Sequence, residues 1–105
     1  MATLTRDYHE TVVERLKREP SFAQSMLDEA RDLTFNGEPE IARLHLRDLV
    51  NATIGFEQLA IQISIPSKSL HRMLSSRGNP GMNTLSRIFA AIREKVSSAE
   101  RLAVG

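Results

Sequence analysis

The chain has 105 residues, room for one domain with one core. It is 41% hydrophobic and 26% charged with no cysteine, an ordinary globular composition that excludes disulfide scaffolds, thiol nucleophiles and thiolate metal sites. Its net charge of +1 hides a partition: residues 1–55 hold seven basic and ten acidic side chains, whereas residues 56–96 hold six basic and two acidic. Shifts of this size occur by chance in many domains, yet an acidic half followed by a basic half also points to nucleic-acid contact by the second. With four Phe, one Tyr and no Trp, a stacking platform for single strands or RNA is not expected. No apolar run approaches the roughly 18 residues of a membrane span. The first seven residues lack an apolar signal core, so a cytoplasmic chain without a membrane partner is expected.

The periodicity predicts an all-α bundle of about five to six helices. The first covers residues 7–19, capped by Thr5 or Asp7, with Tyr8, Val12, Val13 and Leu16 as its apolar stripe. Pro20 stops it and opens a second over residues 21–34, where Phe22, Met26, Ala30 and Leu33 recur at steps of four and three. Asn36-Gly37 closes this helix with a left-handed cap. Glu38-Pro39-Glu40 starts a third, with Ile41, Leu44, Leu46, Leu49 and Val50 on a broad apolar face, ending at Gly55. Two short helices, residues 56–63 and 67–74, flank a turn at Ser64-Ile65-Pro66. A dense turn cluster at 76–81 precedes a helix capped by Asn83, carrying Leu85, Ile88, Phe89, Ile92 and Val96. The chain divides into an N-terminal helical segment (1–37), a helix-turn-helix domain (38–96) and a tail (97–105) expected to fray. The first segment is a candidate dimer or partner-binding element.

The two short helices carry the most information. A helix-turn-helix needs a small residue where its helices cross, and Ala60 supplies it. Leu59 and Ile63 form the apolar underside, Ile65 packs under the turn, and Leu70 and Leu74 point back to the core at a step of four. Ser64 stands where glycine commonly takes the left-handed turn position, at a steric cost. The outward positions of the second helix are polar: Ser67, Lys68, Ser69, His71, Arg72 and Ser75. Any amphipathic helix turns a polar side to water. Here Lys68 and Arg72 share one face, and a recognition helix meets base edges through such a face in the major groove. Ser67 lies on that face too, Arg72 suits bidentate contact with a guanine, and Lys68 suits a guanine or a phosphate.

Residues 59–74 resemble the phage-repressor-like helix-turn-helix. The continuation Leu74-Ser75-Ser76-Arg77-Gly78-Asn79-Pro80-Gly81-Met82-Asn83-Thr84-Leu85 is similar to the addiction-module antidote proteins, the HigA-like antitoxins. These share a leucine-serine, a glycine-asparagine-proline turn and a threonine-leucine opening the next helix. The segment Glu40 to Val50 fits the helix ahead of the motif, so the resemblance covers about residues 38–96. Ser64 in place of glycine, and Pro66 in place of a capping Ser or Thr, depart from the repressor pattern. The resemblance implies a homodimer that binds double-stranded operator DNA, represses its own operon and, in many members, neutralises a cognate toxin. It places base contacts at Ser67, Lys68 and Arg72, with His71 and Ser69 as second choices, and phosphate contacts at Arg77, Asn79 and Gln58. The runner-up reading is a protein-binding module whose acidic half holds a basic toxin with little DNA contact.

Other constellations read more plainly. His9, His45 and His71 lack paired-ligand spacing, and no metal site is expected. His45, beside Leu44 and Leu46, reads as a hydrogen-bonded structural residue. Met26, Met73 and Met82 read as gap-fillers. No serine has an identifiable base partner, so no catalytic residue, cofactor or enzymatic activity is expected.

Overall fold

The computed structural model describes the backbone of residues 2–104 and the side chains of residues 8–102. These form α1 (Ala2–Arg18), α2 (Pro20–Phe35), α3 (Pro39–Ala52), α4 (Phe56–Ile63), α5 (Ser67–Met73) and α6 (Met82–Val104). Among the described residues there is no strand, so the chain is an all-α bundle.

Proline sets two of the boundaries by one device. Glu19 is extended (φ −121°, ψ 95°), because the ring of Pro20 disfavours helical backbone in the residue before it. Pro20 then occupies the start of α2, where its missing N–H costs nothing. Glu38 and Pro39 repeat the arrangement ahead of α3. Between them α2 closes as expected: Gly37 takes φ +80°, and the Glu38 N–H donates to the Leu33 carbonyl at 2.8 Å. At the far end of α3 the Thr53 hydroxyl donates to the Leu49 carbonyl at 2.6 Å, and Gly55 turns the chain at φ +82°.

One core spans the boundary at residue 37. α2 contributes Ala23, Leu27 and Ala30, and α1 contributes Leu16. α3 supplies Leu46, Leu49 and Val50, and α6 supplies Ile88, Ala91, Ile92 and Val96. α2 packs on α3 and α6, α1 packs on α3, and α4 packs on α5 and α6. The alanines at both ends of the α2 stripe let that helix approach its neighbours closely. Asp48 is 7% exposed and is the one buried charged residue among those described; its Oδ2 lies 2.9 Å from His9 Nδ1, a bond that ties α1 to α3. His45 has the structural partner anticipated for it, with Nε2 3.2 Å from a Glu29 carboxylate oxygen. No helix among the described residues is long and apolar enough to cross a membrane.

Four expectations need correction. α1 begins at Ala2, which puts Thr5 and Asp7 inside it rather than at its cap. Asn83 likewise lies inside α6: the helix starts one residue earlier, and Leu85 N–H donates to the Gly81 carbonyl at 2.9 Å. The segment expected to fray continues α6 as far as Val104, since Ser97 to Leu102 hold good helix formers and no glycine or proline. Met82 fills no gap; it is 86% exposed, whereas Met26 and Met73 pack against the core.

Candidate nucleic-acid interface

The site is built on α4, the turn and α5. α4 buries Phe56, Leu59 and Ile63, positions that fall on one face of two turns. It ends at Ser64, which adopts the left-handed conformation (φ 57°, ψ 43°), as its turn position requires. The N–H groups of Ser64 and Ile65 both donate to the Ala60 carbonyl, the latter at 3.1 Å, and so satisfy the helix end. Ser64 is the one non-glycine residue at positive φ among those described. Ser64→Gly is therefore expected to raise unfolding stability by about 1 kcal/mol, less the entropic cost of glycine. A thermal melt checks the sign.

Pro66 (φ −55°, ψ 139°) precedes α5 and takes the cap position itself rather than the first helical turn. Its ring offers no acceptor, and its carbonyl accepts the Leu70 N–H at 3.1 Å. α5 has seven residues, about 10 Å of helix. Leu70 and Leu74 are fully buried, and Ala60 and Ile65 pack partly buried against the same core. Leu59, Ala60, Ile63, Ile65, Leu70 and Leu74 thus all lie in or against the hydrophobic core.

The outward side of α5 carries Lys68, His71 and Arg72, all exposed, with Ser67 and Ser69 half-buried beside them. Lys68 and Arg72 stand one turn apart on one face. Arg77 and Asn79 are exposed in the turn that follows, and Gln58 is exposed on the first turn of α4. His71 is not wholly free: its ring stacks on Phe56, with centroids 3.8 Å apart and planes 19° apart. One face of the imidazole is thereby used to hold α5 against α4.

Two further residues shape this surface: Arg43, which the sequence pattern does not mark out, and Gly78 of the glycine-asparagine-proline turn. Arg43, on α3, donates from Nε to the Ser75 carbonyl at 3.0 Å and from Nη2 to the Ser76 carbonyl at 2.8 Å. A guanidinium fork thus grips the backbone that leaves α5, where carbonyls lack helical partners and the helix dipole favours a cation. In sequence, Arg43 is one charge among many on a helix. Gly78 is the second. A Cβ there would lie 1.9 Å from the Met73 carbonyl oxygen and 2.6 Å from that of Arg72. The close approach that glycine permits is made to the end of α5 itself.

Charge pairing separates the two halves. The ion pairs among the described residues, His9–Asp48, Arg15–Glu19, Arg18–Glu19, Arg31–Asp28 and His45–Glu29, all lie before residue 50. Arg15 also lies 3.9 Å above the Phe22 ring. Among the described residues, Lys68, Arg72, Arg77, Arg87, Arg93 and Lys95 form none. No protein-family model matches this chain, and neither does any curated protein or solved structure.

Proposed function

We propose that the protein is a sequence-specific DNA-binding transcriptional regulator that reads a major groove with α5, pairs as a homodimer on its operator and represses its own operon. The observation that carries this reading is the set Lys68, Arg72 and Arg77, exposed and without ion pairs among the described residues: the first two stand on a helix whose opposite side is locked into the core, and Arg77 stands in the turn that follows it. Arg72 suits bidentate contact with a guanine, Lys68 a guanine or a phosphate, and Ser67 and Ser69 short contacts near them. Arg77, Asn79 and Gln58 suit phosphates. The antitoxin role, with a cognate toxin as a further partner, rests on the resemblance of residues 38–96. It is tested by asking whether the product of the adjacent gene copurifies. On this reading the protein is a cytoplasmic binder and not an enzyme.

The decisive experiment is fluorescence anisotropy against the DNA upstream of the chain's own gene. Arg72→Ala is expected to cost about 1–3 kcal/mol, roughly 5- to 150-fold in affinity, and to relax preference at one base position. Arg77→Ala is expected to weaken all sequences alike and to flatten the salt dependence. Equal affinity of the unaltered protein for operator and scrambled DNA would refute the proposal.

A further inference from the structure

Away from the outer face of α5, helices α2 and α6 leave an apolar groove of about 470 Å³ between them. Leu27, Leu85 and Phe89 line it, and so do Phe35 and Met82, which are 82% and 86% exposed. Two large apolar side chains in water beside an apolar groove form a patch that calls for a cover. The charges on and beside the groove specify that cover. Of the two arginines that line it, Arg31 lies 3.7 Å from Asp28, whereas Arg93 has no acidic partner among the described residues. An occupant therefore needs an apolar knob with a carboxylate beside it. The chain carries such a pair itself: Asp32 is exposed, forms no ion pair among the described residues, and stands one turn before Phe35 on α2.

We propose that the α2–α6 groove is the homodimer surface of this protein. Phe35 of each copy enters the groove of the other, and Asp32 meets Arg93 of the partner subunit, each contact made twice about a two-fold axis. The purpose of this pairing rests on the DNA-reading proposal, because two copies bring two recognition helices to one operator. The groove shares no residue with the row Ser67, Lys68 and Arg72.

The test is sedimentation equilibrium of the full-length protein without DNA, over a wide concentration range. The unaltered chain is expected to be a dimer. Phe35→Ser is expected to be a folded monomer at concentrations where the unaltered chain is paired, with an unchanged far-UV spectrum because the side chain is exposed. Arg93→Asp sets two acids face to face and is expected to weaken pairing at least tenfold, and adding Asp32→Arg to it is expected to restore pairing. A chain that stays monomeric at every concentration overturns the proposal, as does a groove occupied only by a different protein. A dimer unmoved by Phe35→Ser and Arg93→Asp also overturns it. DNA titrations with the same proteins separate the two proposals. A dimer without sequence preference leaves the interface standing and removes the DNA reading. A monomer that still reads its operator does the reverse.

Discussion

Leu59→Ala is expected to lower the unfolding free energy by about 2–5 kcal/mol. Leu59 is wholly buried, and it sits on α4, the helix that packs on both α5 and α6. The loss has two parts. The removed side chain no longer gains from leaving water, and the surrounding helices close only partly over the space left behind. Against a total stability of about 5–15 kcal/mol for a domain, this is a large fraction. Urea unfolding measures it, with the midpoint falling at an unchanged slope. A loss below about 1 kcal/mol would show that α4 does not pack as described. Because the cavity opens beneath the turn, the proposed DNA reading predicts weaker DNA binding even at temperatures where the variant remains folded.

The second large effect is expected at Gly78. Gly78→Ala places a methyl group where the Met73 carbonyl oxygen, the Met73 carbonyl carbon and the Arg72 carbonyl oxygen lie within 1.9, 2.4 and 2.6 Å. All three atoms are backbone, so no side-chain rotation relieves the overlap. Either the last turn of α5 or the segment after it must move. The Gly78 N–H bond to the Ser75 carbonyl, 3.0 Å long, and the two bonds from Arg43 hold that segment in place. The cost is expected to reach about 1–3 kcal/mol or more, and to appear in a thermal melt as several degrees per kcal/mol. If the protein reads DNA as proposed, its DNA affinity falls with the stability, since Arg72 and Arg77 stand on either side of the disturbed turn. Gly81→Ala is the matched control. No atom lies within 4 Å of a Cβ at Gly81, so its effect should stay within about 0.5 kcal/mol. Equal effects at the two glycines would remove the steric explanation.

The helix boundaries were legible wherever a residue acts on its own backbone. Glu19-Pro20, Asn36-Gly37 and Glu38-Pro39 each behave as local chemistry demands. Residues 56–63 form α4 as predicted, and Ser64 takes the left-handed turn despite its side chain. The buried face of α4 and α5 was legible for a related reason: Leu59, Ile63, Leu70 and Leu74 recur at spacings that only one packing face satisfies. The caps proposed from single polar residues were less secure. Thr5, Asp7 and Asn83 are tolerated within helices, and a short polar side chain does not by itself end one.

What the sequence determined by itself, then, was the helical class, the turn chemistry, the polar row of α5 and the uneven distribution of charge. Each follows from neighbours along the chain. Tertiary structure alone decided that α1 and α2 share one core with α4 and α5, through Leu16, Ala23, Leu27 and Ala30. It also decided that Arg43 clamps a turn more than thirty residues away, that His71 stacks on Phe56, and that Gly78 lies against the end of α5. The same holds for the groove beside Phe35 and Met82. These depend on which helix faces approach one another. Spacing along the chain does not specify that approach; packing of the whole core does.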